Sequence, residues 1–199
     1  MAYPVNLTYT PDEGQNRLWG IPFLGIVART ILVIPHLILL FFLGIAIYVF
    51  VLVNWIPVLV NGRQASWGYA LAEAYFTLSS RVSIYLTLAT GKYPPIGWSG
   101  DHPVNASLDR NEAQNRLWGI PFVGLMVRLI VLIPHFIVLG VLSLGLSVLL
   151  LVSWIPVLLN GRQAASIVNF VGGFYRWSVR VGAYAGLLTG SYPPFSLSD

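Results

Sequence analysis

Residues 30–62 read TILVIPHLILLFFLGIAIYVFVLVNWIPVLVNG, and residues 129–161 read LIVLIPHFIVLGVLSLGLSVLLLVSWIPVLLNG. Each stretch runs 33 residues without Asp, Glu, Lys or Arg. About 20 apolar residues suffice to cross a bilayer core of ~30 Å. One straight helix over the whole stretch would be about 50 Å long, too long without strong tilt. Proline sets the limits: Pro35 and Pro57 bracket the most apolar part, and Trp55, near one end, suits the headgroup level. The pattern predicts a spanning helix over 36–56 and a partner over 135–155. Asn61-Gly62-Arg63 and Asn160-Gly161-Arg162 then predict turns.

The composition agrees. Charged residues make up 9% of the 199, against roughly 25% in soluble domains. The hydrophobic fraction is 56% and the mean hydropathy +0.74. These values exclude intrinsic disorder and argue against a soluble surface. With no cysteine, disulfide scaffolds, thiolate metal sites and Cys nucleophiles are excluded. Ten of the eleven basic residues are Arg, and the net charge is +4. Guanidinium grips phosphate in a fork, and positive charge suits an anionic leaflet. The basic residues are spread along apolar segments, so nucleic acid is not expected as a partner. The opening Met-Ala-Tyr-Pro lacks a basic n-region, so insertion through internal segments is expected.

The two apolar stretches belong to a tandem repeat. RLWGIPF occurs at 17–23 and 116–122, WIPVL at 55–59 and 154–158, and Tyr93-Pro94-Pro95 returns as Tyr192-Pro193-Pro194, always 99 residues apart. Without a gap, 4–99 and 103–198 share 46 of 96 positions. The chain therefore divides into repeats 1–100 and 101–199. Within each, Tyr3–Thr10 predicts a short strand, with a weaker signal over Pro103–Asp109. Asp12, Glu13 and Glu112 stand where a helix would begin. Arg17–Ile34 predicts an interfacial amphipathic helix. Ser66–Thr90 predicts a third helix, ended by Gly91, whose Glu73, Thr77 and Arg81 share one face and match Gly172, Arg176 and Arg180. Its length favours spanning, with the polar stripe turned inward. The expected fold is an all-α integral membrane protein of two tandem pseudo-symmetric repeats. Each is a helical hairpin plus an interfacial amphipathic helix, giving four transmembrane helices with both termini and the linker on one side.

Several residues are candidates for function. His36 and His135 occupy matched places and could ligate one haem, although a Pro-His helix start reads more simply as an interfacial cap. Arg17/Arg116, Arg29/Arg128 and Arg63/Arg162 are candidate lipid-phosphate ligands or helix-end anchors. The arginine before the spanning helix is expected to grip a phosphate or a backbone carbonyl end. Glu73, Arg81, Arg176 and Arg180 form the intramembrane polar set, with Glu73 expected beside one of the three arginines. Gly140, Ser143 and Ser147 make a small-residue stripe where the first repeat has Phe41 and Tyr48. No nucleophile elbow, P-loop or dinucleotide fingerprint is present, so no enzyme activity, metal or cofactor is expected.

Ile34-Pro35-His36, Gly62-Arg63 and Tyr192-Pro193-Pro194-Phe195 resemble a family of bacterial membrane proteins catalogued as domain of unknown function 4389. The likeness covers both repeats, and Ile96 departs from it where the second repeat has Phe195. The resemblance implies a multi-pass protein of the bacterial inner membrane and carries no activity. The expected function is non-catalytic: a structural or accessory membrane protein that binds lipid, a larger membrane complex or a second copy. A small-solute transporter or channel subunit lined by Glu73, Arg176 and Arg180 is the alternative. A haem-binding electron-transfer subunit through His36 and His135 is a further one.

Overall fold

The computed structural model describes residues 3–11, 14–110 and 113–198. Asp12, Glu13 and Glu112, expected at a helix start, lie outside the described residues. In the first repeat, strand β1 (Val5–Tyr9) precedes a 3-10 turn (Arg17–Gly20), α1 (Leu24–Leu32), α2 (Ile34–Val53), α3 (Trp55–Asn61) and α4 (Ser66–Leu86). The second repeats the order: β2 (Val104–Leu108), a 3-10 turn (Arg116–Gly119), α5 (Val123–Val131), α6 (Ile133–Val152), α7 (Trp154–Asn160) and α8 (Ala165–Ala185). The molecule is mostly helical, yet not all-α. β1 and β2, one from each repeat, pair antiparallel.

That ladder locates a pseudo-twofold axis. Leu7 pairs with Ala106, its own counterpart 99 residues on, so the axis passes between them. The same relation holds below the sheet. Phe76 of α4 lies against Gly182 of α8, and the matched Tyr175 hydrogen-bonds Ser83. α4 and α8 thus cross on the axis, under the sheet. Val5, Leu7, Val104 and Leu108 face down into a core with Tyr69, Ala72, Val171 and Val179, while Thr8 and Ser107 face out.

The repeats interlock. α4 carries the strand of the second repeat and α8 that of the first; α3 packs on the second 3-10 turn and α7 on the first. Glycine makes this approach: a Cβ on Gly20 would stand 2.3 Å from Leu158 N, and one on Gly119 the same distance from Leu59 N. α2 starts beside the end of α4, where Tyr93 Oη donates to Leu32 O. α2 ends beside the end of α8, where Asn54 Nδ2 donates to Gly186 O at 3.0 Å. The axis is therefore perpendicular to the long helices, and α2 and α6 point in opposite directions. This corrects the expectation of two hairpins pointing the same way; the N-terminal strand, the linker strand and the C-terminal segment nevertheless lie together, β1 paired with β2 and Arg176 bonded to both Leu7 O and Leu197 O.

Among the described residues, two segments, Ile34–Val53 and Ile133–Asn160, are long and apolar enough to cross a membrane; four were expected. α4 and α8 are long enough but not apolar enough, since Glu73 and Arg81 in one and Arg176 and Arg180 in the other interrupt them; these polar stripes are turned onto the sheet and the Tyr-Pro-Pro closing segments. The two helices are the protein's central layer, rich in buried residues. α2 and α6 are the reverse: 17% and 11% of their most apolar stretches are enclosed. In α2 only His36, Leu43 and Phe50 are buried, one narrow stripe at a spacing of seven. Phe41, Phe42, Ile45, Tyr48 and Val49 stay exposed, as do Gly140 and Ser147 of the small-residue stripe.

The expected amphipathic helix over 17–34 is broken at Pro22. Phe23 takes φ 63° and ψ −48°, and Leu24 N donates to Pro22 O at 2.7 Å, a strained γ-turn. Phe122 repeats it with φ 60°. The third helix ends at Leu86 rather than Gly91. Leu88, at φ 60° and buried, reverses the chain, and Leu187 does so in the second repeat.

Candidate functional site

Arg29 and Arg128 are fully buried. α1 and α5 aim them at the ends of α4 and α8, where the last carbonyls have no helical partner and carry the negative end of the dipole. Arg29 Nη1 donates to Tyr85 O and, at 2.7 Å, to Thr90 O; Nη2 donates to Gln15 Oε1 at 2.8 Å. Arg128 repeats the set with Tyr184 O, Thr189 O and Gln114 Oε1 at 2.7, 2.6 and 3.0 Å. Each guanidinium lies between two rings: Trp19 at 5.1 Å and Tyr85 at 4.3 Å, or Trp118 at 4.9 Å and Tyr184 at 4.4 Å. Of the two expected partners, phosphate or carbonyl end, the structure gives these arginines the carbonyl end. A headgroup would have to displace the indole to reach them.

The polar set of α4 and α8 holds the sheet and the closing segments. Arg81 Nε donates to Val104 O at 2.9 Å, Nη1 to Ser99 O at 3.2 Å and Nη2 to Asn105 Oδ1 at 2.6 Å. Arg180 Nη1 donates to Ser198 O, the matched carbonyl, at 2.9 Å. Arg176 Nε donates to Leu7 O at 3.2 Å, and Thr77 Oγ1 accepts from Ala106 N across the axis. Glu73 does not meet these arginines. Its carboxylate accepts from Leu108 N at 3.1 Å and from Arg110 Nη2 at 2.7 Å, with the Arg110 side chain 56% exposed. The set braces the sheet and the closing segments.

His36 and His135 are fully buried at opposite ends of the molecule, each under its own repeat's closing segment. His36 Nε2 is 2.9 Å from Pro94 O. His135 Nδ1 accepts from Trp177 Nε1 at 2.9 Å, and its ring stacks on Phe195 at 3.8 Å. Leu78 and Ile96 stand at the matched positions of the first repeat, so the two enclosures differ. The histidines are not brought together as a ligand pair. No group of three His, Cys, Asp or Glu forms a metal site among the described residues.

Arg17, Arg63, Arg116 and Arg162 are exposed. Gln15 N donates to Gly161 O at 2.7 Å and Gln114 N to Gly62 O at 2.8 Å. These bonds seat Arg17 on the Gly161-Arg162 turn and Arg116 on the Gly62-Arg63 turn. Beside the first pair lies a groove of about 510 Å³ lined by Gln15, Asn160, Arg162 and Gln163. Separately, Trp19, Phe23, Leu151 and Trp154 line an apolar cleft of about 200 Å³. Its counterpart with Trp55, Ile120 and Phe122 holds about 40 Å³.

Sequence reasoning overlooked His102, which is buried in the linker with Nδ1 accepting from Val104 N at 3.2 Å. Burial, then the charge of Arg81, holds its pKa below the usual value. The signal was the repeat offset carried one residue further. Residue 102 matches Tyr3, whose ring lies under Arg180 at 5.6 Å as His102 lies by Arg81.

No curated protein and no solved structure is detectably similar to this chain. A family model matches residues 24–97 and again 123–196, each match running from α1 or α5 through the Arg-bearing central helix to the Tyr-Pro-Pro closing segment. The chain belongs, through two tandem copies, to the family described as Domain of unknown function (DUF4389).

Proposed function

We propose that the protein is a non-catalytic structural or accessory component of a membrane, the bacterial inner membrane that the family resemblance implies. In this reading the α2–α3 and α6–α7 layer faces lipid and the sheet faces water. One observation carries it. The exposed surface of α2 and α6 is apolar over about 30 Å of helix. Isolated surface leucines are ordinary, but a continuous belt of this size is not. The outward residues of the sheet, Thr8 and Ser107, and the exposed Arg110 beside Glu73 would meet hydrocarbon at high cost if that face were also in lipid. The chemistry suits contact with lipid: acyl chains along the belt and aromatic and Arg side chains at both helix ends. Flotation on neutral phosphatidylcholine vesicles tests the reading. The protein should float and resist alkaline extraction; recovery in the aqueous fraction after either treatment would overturn it.

A further inference from the structure

We infer that the cross-repeat arginine pairs, Arg17 with Arg162 and Arg63 with Arg116, are two sites for the phosphodiester headgroup of an anionic lipid. This rests on the membrane reading above and names the lipid it selects. Each pair is made by both repeats together. A Cβ on Gly161 would lie 3.4 Å from Arg17 Cγ and 3.5 Å from its Nε; at Gly62 the distances to Arg116 are 3.5 and 3.6 Å. Gly161 and Gly62, both at φ +65°, close α7 and α3 in the left-handed turn that puts Arg162 and Arg63 next in the chain. Two like charges are thus placed beside one another at each end, which is unfavourable until an anion joins them. The buried Arg29 and Arg128 each donate to two backbone carbonyls and a glutamine side chain. By contrast, none of these four donates a hydrogen bond or makes an ion pair among the described residues. Two exposed forked donors at each end match the oxygens of a phosphodiester.

The surroundings choose a lipid rather than a soluble anion. Trp19, two residues from Arg17 on the same 3-10 turn, and Trp154, at the start of the helix that leads to Arg162, both line the apolar cleft. Because Trp19 lies two residues from Arg17, a headgroup held by the arginines has this cleft within reach of the first part of its acyl chain. The two ends are not equal. With about 200 Å³ against about 40 Å³, the Arg17–Arg162 end accommodates more of the chain and is the stronger site.

Native mass spectrometry of the full chain in a neutral mild detergent, with equal phosphatidylglycerol and phosphatidylcholine added, tests this. The expected result is retention of phosphatidylglycerol over phosphatidylcholine by about tenfold, the equivalent of roughly one charge-assisted contact. Arg17→Gln with Arg162→Gln should remove most of that preference, and Arg63→Gln with Arg116→Gln a smaller part. The lipid-free melting temperature of both variants should be equal or higher, because the like-charge repulsion is removed and the four side chains make no hydrogen bond or ion pair among the described residues. An undiminished preference in the quadruple variant overturns the assignment, as does a lowered lipid-free melting temperature. Protection by inorganic phosphate alone, lost in the same variants without phosphatidylglycerol retention, would make the ligand a soluble anion and overturn the lipid. Flotation on pure phosphatidylcholine, which lacks the selected headgroup, should be unaffected in every variant. Failure there would count against the membrane reading, separately from the headgroup sites.

Discussion

A guanidinium enclosed by an indole, a phenol ring and the carbonyl end of a helix leaves little room for substitution. Arg29→Lys keeps the charge and loses the fork, so at least one charge-assisted bond to Tyr85 O, Thr90 O or Gln15 Oε1 goes unmade. The expected loss is about 1.5–3 kcal/mol of stability, read as a lower melting temperature in detergent, with retained lipid unchanged. Lost lipid at an unchanged melting temperature would instead put Arg29 at the membrane surface. Phe23 poses the opposite case. It is 84% exposed and its counterpart Phe122 79% exposed, yet both adopt a backbone costly for a bulky side chain, about 1–3 kcal/mol each. Phe23→Gly with Phe122→Gly should leave melting in detergent equal or higher, while the loss of two large apolar side chains weakens binding to vesicles. Stronger vesicle binding by that variant would contradict a lipid-facing role for the rings. Neither residue's setting was legible beforehand. An Arg before an apolar run reads alike whether it turns outward or inward, and nothing in Pro22-Phe23 announces a positive φ.

The long apolar helices were legible as elements because composition alone decides them. α2 occupies 34–53 where 36–56 was expected, the difference arising at Asn54, where α2 gives way to α3. The strands, too, were signalled by alternation at 3–10. The third helix was misjudged. Its length allowed spanning, but periodicity gives the faces of a helix and not what covers them. Here the polar face is covered by the other repeat's strand. Glu73 follows from that. Paired with an exposed Arg110 rather than a buried cation, it should tolerate Glu73→Gln with a stability change below about 1 kcal/mol. A loss of several kcal/mol would place the pair in a drier setting. The linker carries a pH response. Arg81 and Lys92 face His102, with Asp101 paired to Lys92 at 3.8 Å. Folding disfavours the protonated imidazole, whereas the unfolded chain takes up a proton near its ordinary pKa of about 6.5. The native state therefore binds fewer protons, and stability is present above that pH and lost as pH falls below it. Melting temperature should drop between about pH 7.5 and about pH 5.5. His102→Asn should flatten that drop, and a variant as sensitive as the wild type would assign the response elsewhere.

At the scale of the molecule, the offset of 99 residues fixed the pseudo-symmetry but not its axis. Ungapped repeats are equally consistent with an axis along the helices or across them. The choice is made by contacts distant in sequence: Leu7 with Ala106 and Asn54 with Gly186. Interlocking has a direct consequence. Residues 1–100 lack the strand that covers α4, and 101–199 lack the one that covers α8. Either half expressed alone should be degraded or aggregate, while co-expressed halves should co-purify; a half that folds alone and melts cooperatively would contradict the interlock. The central claim is that the molecule is two-faced, with the sheet in water and α2 and α6 in lipid. Single cysteines at Thr8, Ser107, Ile45 and Leu144, introduced one at a time into the cysteine-free chain and reconstituted in vesicles, test it most directly. The Thr8→Cys and Ser107→Cys proteins should react with a water-soluble, membrane-impermeant maleimide from the same side. The Ile45→Cys and Leu144→Cys proteins should resist it, and a fluorophore attached there before reconstitution should be quenched by brominated acyl chains. Labelling of Thr8→Cys and Ser107→Cys from opposite sides of the bilayer, or free aqueous labelling at Ile45→Cys and Leu144→Cys, would contradict it.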